Sequence, residues 1–212
     1  MTITIFGATG LTGKHIVKMA LWQEHTVRAF GRNVHELVDE SERHGNLQLY
    51  KGGVFDAKDV LKAIKGADAV ISAIGGVGDE NDRTRSLGMK TIIGAMKEAG
   101  VQRIIGIGGQ GILNSGQEGA QYIFEEEDFP KQYVAVSQEH LKAYEYLRDS
   151  GLQWTFVCPP QIVDAPVTAH YAVKKDQPAS SAPRINAGDL ADFILKEITR
   201  NEFVDARVGI SN

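Results

Sequence analysis

Near the start of the chain, Gly7-Ala8-Thr9-Gly10-Leu11-Thr12-Gly13 sets three glycines at a G-x-x-G-x-x-G spacing. The chemistry this suits is binding a pyrophosphate. Gly7 makes the sharp exit from a strand, Gly10 lets backbone meet phosphate with no Cβ between them, and Gly13 lets the next helix pack close to the sheet. An ordinary tight strand–helix turn is the alternative. The apolar run at 2–6 and the helical pattern from Leu11 supply the strand–turn–helix context that the dinucleotide motif requires. That helix would aim its free N–H groups and positive dipole end at the phosphates.

Cofactor choice is read about 20 residues further on, where an acidic side chain would bond a ribose 2′-hydroxyl and favour NAD. The chain has Arg32 there, with Glu36 close by. A guanidinium grips a 2′-phosphate bidentately and stacks on adenine, so NADPH is the expected cofactor. A solvated surface arginine is the alternative. Val54, Phe55 and Asp56 follow the third strand and would flank the adenine, Asp56 by a bond to its amine. Ser72, Ala73, Ile74 and Gly75 would line the middle of the cofactor, with Ser72 equally readable as a plain strand hydroxyl. A carbonyl reductase must protonate an alkoxide with a positioned acid. Tyr133 is no half of a Tyr-x-x-x-Lys pair, because Ser137 stands four residues after it. Reduction of a flavin or quinone needs chiefly two planar rings held in contact, and water can supply the proton. Ile112, Tyr122 and Phe124 are expected as apolar groups of that acceptor site. Histidines 15, 25, 35, 44, 140 and 170 lack ligand spacing, so no metal is expected. Cys158 closes an apolar run and reads as a core residue.

These groups need a scaffold. Apolar runs predict strands at 2–6, 26–30, 47–50, 67–74, 101–107 and 153–158, with a last edge strand at 206–210. Helical patterns begin at residue 11 and recur at 34–41 (weakly), 59–65, 84–99, 134–149 and 187–200. Strand and helix alternate, which predicts an α/β doubly wound parallel sheet with helices on both faces. Ligands then bind at the carboxyl ends of the strands, where Gly7, Gly31, Gly53, Gly75 and Gly108 stand. Residues 110–132 form a long loop with an acidic run at 125–128, which is either a partner surface or a solvated turn; 161–183 is irregular. The reading is one domain over 1–212, with a small substrate-side lobe from 110–132 and 159–186.

The 212 residues carry a net charge of −4, which argues against a nucleic-acid surface. One cysteine permits no internal disulfide and fits a reducing compartment. No apolar run approaches the roughly 20 residues of a membrane span, and no signal-type segment opens the chain. A cytoplasmic protein with no membrane partner is expected, a monomer by default with a dimer left open.

Three blocks, GATGLTGK from Gly7, ISAIGG from Ile71 and YEYLRDSGLQWTFVCPPQIVDAP from Tyr144, resemble the atypical short-chain dehydrogenases/reductases. The resemblance is to the biliverdin reductase B (flavin reductase) type and its bacterial NAD(P)H-binding relatives, and spans about residues 2 to 210. It implies a Rossmann-like sheet of order 3-2-1-4-5-6, NADPH, and hydride transfer to flavins or linear tetrapyrroles. Thr9, Gly10, Leu11, Thr12 and Arg32 match cofactor positions, and Pro159 and Pro160 match the turn beside the nicotinamide. His140 stands where short-chain dehydrogenases keep the lysine that holds the nicotinamide ribose; an exposed helix histidine is the alternative. The chain departs from the pattern at Glu36, Gly53, Gly109 and Gln161, where the family keeps a second basic residue, an acid, a serine and an active-site histidine. Those changes point away from biliverdin. The expectation is an NADPH-dependent reductase of a planar flavin or quinone, stacked near Gly109 and Pro160 and oriented by Gln161. The alternative is an NmrA-like protein that senses NADP(H) without turnover.

Overall fold

A computed structural model describes residues 1–37, 44–76 and 81–212. In chain order it holds β1 (Thr2–Phe6), α1 (Leu11–Trp22), β2 (Thr26–Gly31), β3 (Leu47–Lys51), α2 (Ala57–Ile64), β4 (Ala69–Ser72) and α3 (Thr84–Ala99). Then follow β5 (Arg103–Ile107), α4 (Val134–Arg148), β6 (Gln153–Cys158), β7 (Gln161–Val163), β8 (Ala172–Lys175), β9 (Arg184–Asn186), α5 (Ala187–Arg200) and β10 (Ala206–Ser211). The central strands are buried on both faces, which is why β1, β4 and β5 read as apolar runs rather than as alternating ones. Thr4 is the polar exception inside β1, and its hydroxyl donates to the Ala63 carbonyl at 2.7 Å.

The main sheet runs β3-β2-β1-β4-β5-β6-β10-β8. Its first six strands have the expected order, all parallel, and the order reverses between β1 and β4. This is a Rossmann-like doubly wound sheet. The last predicted strand is not an edge. β10 is buried along its length, parallel to β6 on one side and antiparallel to β8 on the other. The edge is β8, whose four exposed residues lack the alternation that marks a strand in sequence. Residues 161–183, read as irregular, also supply β7, which pairs with β9. α2 starts two residues early because Asp56 caps it, accepting from the backbone N–H of Lys58 and Asp59 at 2.9 and 3.1 Å. Of the weak helix expected at 34–41, a 3₁₀ turn covers Val34–Leu37, and the rest lies outside the described residues.

The two faces of the sheet bury separate cores. α1 and α5 cover one with Ile16, Val17, Leu190 and Ile194; α2, α3 and α4 cover the other with Val60, Ile92, Met96 and Leu147. Over β10, the 110–132 segment packs on the second face. Ile112, Leu113 and Tyr122 are buried there, Ile112 and Leu113 within this core, and half-buried Phe124 packs against it. Arg207 of β10 fastens the segment. It donates to the Ile112 carbonyl and the Asn114 side chain, bonds Asp176 at 3.3 Å, and lies 5.3 Å from the Tyr122 ring centre. Two residues of the acidic run brace the segment: Glu125 accepts from the backbone N–H of Gln121 and Tyr122, and Glu126 from the Ser115 hydroxyl, while Glu127 and Asp128 are exposed.

At the opposite edge of the sheet from the glycine ends, Arg103 of β5 meets Glu197 of α5 at 2.9 Å, both buried. Thr155 bonds both, and Glu197 also accepts from the backbone N–H of Glu202 and Phe203. Removing one partner leaves a buried charge uncompensated. Glu197→Ala should lower unfolding stability by about 3–5 kcal/mol in urea titration, whereas the double replacement Arg103→Met/Glu197→Leu should cost markedly less.

Candidate functional site

The site begins where β1 leaves the sheet. Gly7 adopts φ 76°, a left-handed conformation, and a Cβ there would overlap the Ala73 carbonyl at the exit of β4. A Cβ on Gly13 would overlap the Gly7 carbonyl, so the first turn of α1 packs on the glycine turn itself. Gly10 differs. It is the N-cap of α1, it is exposed, and a Cβ there would meet only the Gly7 carbonyl, at 3.3 Å. The N-cap makes no side-chain bond and the first turn holds no acidic residue. The first N–H groups of a helix have no intrahelical partner, so this end of α1 is an open cradle that fits a diphosphate. Thr9 is half-buried beside it, Leu11 is exposed and Thr12 is buried.

On the β2–β3 side, Arg32 is exposed and, among the described residues, makes no ion pair. Lys14 of α1 holds Glu36 at 3.3 Å, so the nearby acidic charge is answered within the protein. Val54 is half-buried against α3 near Gly88, and Phe55 is 58% exposed. Asp56 serves as the N-cap of α2 through Oδ1, a role not anticipated from the sequence. Of the five glycines expected to admit a ligand, Gly53 and Gly75 have nothing against them among the described residues, and a Cβ on Gly31 would meet only the Val34 side chain at 3.7 Å. Gly7 and Gly108 do not, because Ala73 backbone and the Phe156 ring fill those positions.

On the β4–β5–β6 side, Ser72 is buried, Ala73 and Ile74 are half-buried, and Ala73 N–H bonds the Phe6 carbonyl at 2.9 Å. A Cβ on Gly109 would contact the His140 ring, 3.1 Å from Cδ2 and 3.3 Å from Nε2. The fold therefore brings these two predicted residues together. The His140 ring is partly exposed, but its Nδ1 is buried without a hydrogen-bond partner. Burial, with the charge of Arg85 second, pushes its pKa down to about 3. Pro159 is buried and Pro160 half-buried, with the Pro159 carbonyl accepting from Gln110 N–H. Gln161 is exposed at the start of β7. From there the chain returns to α1, where His15 Nε2 meets Asp164 at 2.9 Å.

Three site-edge groups were not legible in the sequence. Asp82 and Arg85 pair at 3.3 Å directly against Gly76, where a Cβ would overlap the Asp82 carboxylate. Glu139, buried on α4, accepts from the Ser86 hydroxyl at 3.1 Å. Nothing in their spacing reveals either, since each depends on how α3 lies against its neighbours. Concavities of about 670 Å³ between α3 and α4 and about 630 Å³ beside Arg207 lie away from the glycine edge, and neither includes a predicted site residue. Among the described residues, no group of His, Cys, Asp or Glu could hold a metal ion. Among the described residues, no helix is long and apolar enough to cross a membrane. Cys158 is fully buried, which pushes its thiol pKa up.

Sheet order, glycine turn and open helix end together define a Rossmann-like dinucleotide-binding protein. The chain belongs to the NAD(P)H-binding family, whose model matches residues 7–201. It is 26% identical over 218 residues to the uncharacterized protein YwnB of Bacillus subtilis, covering 99% of this chain and 98% of that one. Among solved structures, it superposes on a Streptococcus pneumoniae protein provisionally named an NADH-flavin reductase (23% identity, TM-score 0.79, 99% and 98% covered). It does so too on the anaerobilin reductase ChuY of Escherichia coli O157:H7 (20% identity, TM-score 0.79, 99% and 97% covered).

Gly10→Ala and Gly13→Ala should separate ligand space from packing. Gly10→Ala should melt near the parent temperature yet lose dinucleotide binding in a fluorescence titration, whereas Gly13→Ala should lower the melting temperature itself. Acid stability should report His140. Its native pKa near 3 lies below the ordinary 6.5, so the unfolded chain binds the proton first and stability falls as pH drops from about 6.5 towards 3. His140→Gln should flatten that part of the pH–stability curve.

Proposed function

We propose that this chain is an NADPH-dependent reductase of a small planar acceptor, a flavin or a quinone. The observation that carries the reading is the open glycine edge. Gly53, Gly31, Gly10 and Gly75 follow one another along the carboxyl ends of β3, β2, β1 and β4, and the edge closes at Gly109 beneath an uncharged imidazole. Such an edge suits a long dinucleotide on one side and a flat ring at its end. Fold likeness to proteins named for flavin and anaerobilin reduction agrees with this.

Each group then has a task. The N-terminal N–H groups of α1 and the Thr12 hydroxyl hold the diphosphate. Arg32 takes the 2′-phosphate as a bidentate anion, which selects NADPH over NADH. The bound dinucleotide supplies the hydride. Pro159 and Pro160 give the acceptor ring a flat wall, and Gln161, exposed beside them, orients it by hydrogen bonds. Proximity carries most of the rate effect, and solvent supplies the proton.

The test is loss of the reduced-nicotinamide absorbance with FMN, riboflavin, menadione and biliverdin offered separately, and NADH as the control cofactor. Turnover with FMN or menadione, faster with NADPH, is expected. Tight NADPH binding with no turnover on any acceptor would overturn the reading in favour of a sensor. Arg32→Ala should raise the Kd for NADPH roughly ten- to a hundredfold, the worth of a charge-assisted hydrogen bond, and leave that for NADH unchanged.

A further inference from the structure

His140 presents two unlike nitrogens. Nδ1 is sealed in the protein with no partner. Nε2 lies on the other edge of the ring, over Gly109, where the ring reaches solvent. A neutral imidazole carries one proton, on one nitrogen only. Placing it on Nδ1 would bury an N–H that nothing accepts, beside the positive charge of Arg85. The Nε of Arg85 is itself buried without an acceptor. An unpartnered donor on Arg85 and an unpartnered lone pair on Nδ1 are complementary, whereas two N–H groups would oppose each other. Placing the proton on Nε2 avoids both costs and puts an N–H on the ring edge that faces Gly109, the end of the site where the acceptor ring was placed.

We infer that His140 keeps its proton on Nε2 and donates that N–H, without giving up the proton, to the carbonyl oxygen of the planar acceptor. This rests on the function proposed above. Reduction moves a hydride to the acceptor as one C–H bond of the dihydronicotinamide breaks. NADPH is oxidised, the acceptor gains two electrons, and negative charge develops on the carbonyl oxygen. A hydrogen bond that strengthens with that charge lowers the barrier. Water then protonates the oxygen, and His140 remains neutral throughout. The role differs from holding the nicotinamide ribose, because the partner is the acceptor.

The test uses the full ¹⁵N-labelled chain at pH 7, saturated with NADP⁺ so that no turnover occurs, with the His140 ring assigned through its loss in His140→Gln. The long-range ¹H–¹⁵N pattern should be that of a neutral ring protonated at Nε2, and menadione or FMN should shift the Nε2 resonance. A ring protonated at Nδ1 or at both nitrogens, or an Nε2 resonance unmoved by both saturating acceptors, overturns the inference. In turnover, His140→Ala should lower kcat/KM for the acceptor roughly ten- to a hundredfold with the Kd for NADPH unchanged, and His140→Gln, which keeps a donor, should recover part of it. A rise in the NADPH Kd in place of the acceptor effect assigns the donor to the ribose and overturns it. If neither acceptor oxidises NADPH yet the Nε2 resonance moves, the proposed turnover fails and the donor contact stands.

Discussion

Two strands of this sheet leave so close together that no side chain fits between them. The exit of β1 at Gly7 runs against the backbone of Ala73 at the exit of β4, and a single methyl group would separate them. This contact sits where the strand order reverses. It fixes the separation of the two halves of the cleft, the height at which α1 begins, and the direction in which its free N–H groups point. Gly13 repeats the constraint one turn along by seating α1 on the Gly7 carbonyl. The remaining site groups hang from strands whose relative positions this crossing sets.

The crossing also divides the work among the glycines. Some are small because protein occupies the missing side-chain space, as at Gly7, Gly13 and Gly108. Others have nothing against them among the described residues, as at Gly53 and Gly75, or meet a single backbone carbonyl at 3.3 Å, as at Gly10. Only the second kind leaves room for a ligand, and sequence alone cannot sort the two. The same holds for carboxylates: Asp56, Glu125 and Glu126 stand in plausible ligand or partner positions, yet their oxygens are committed to backbone N–H groups or a nearby hydroxyl.

Much of the fold was legible because its signals are local. The glycine turn and the alternation of apolar runs with helical periods follow from spacing within about 30 residues, the length of one βαβ unit, while the order of the first six strands came with the resemblance to the short-chain dehydrogenases/reductases. What was not legible depends on distant partners. Arg103 and Glu197 lie 94 residues apart, and neither residue type announces a buried pair. The 110–132 segment reads in sequence as a long loop because it lacks helical periodicity. It proves to be a wall, since its fastening, Arg207, sits about 95 residues downstream. At the site, Gly109 and His140 were each picked out singly. Their contact, and the sealed Nδ1 that gives the imidazole its character, required the packing of α4 on the turn that follows β5.

That distant fastening bears on the order in which the protein can assemble. β10 is the last element in the sequence, yet it is an inner strand and carries the arginine that holds the segment after β5. A chain growing from its N-terminus can pair β1 through β6 and seat the helices on them while β10 is still missing. During that interval, Ile112, Leu113 and Tyr122 have no anchor and β6 keeps an open side. Contacts of such high sequence separation are slow to form and leave apolar surface exposed while they wait. The half of the molecule proposed to receive the acceptor is therefore completed after the half that carries the glycine turn, and its final closure belongs to a strand that contributes no residue to the proposed site.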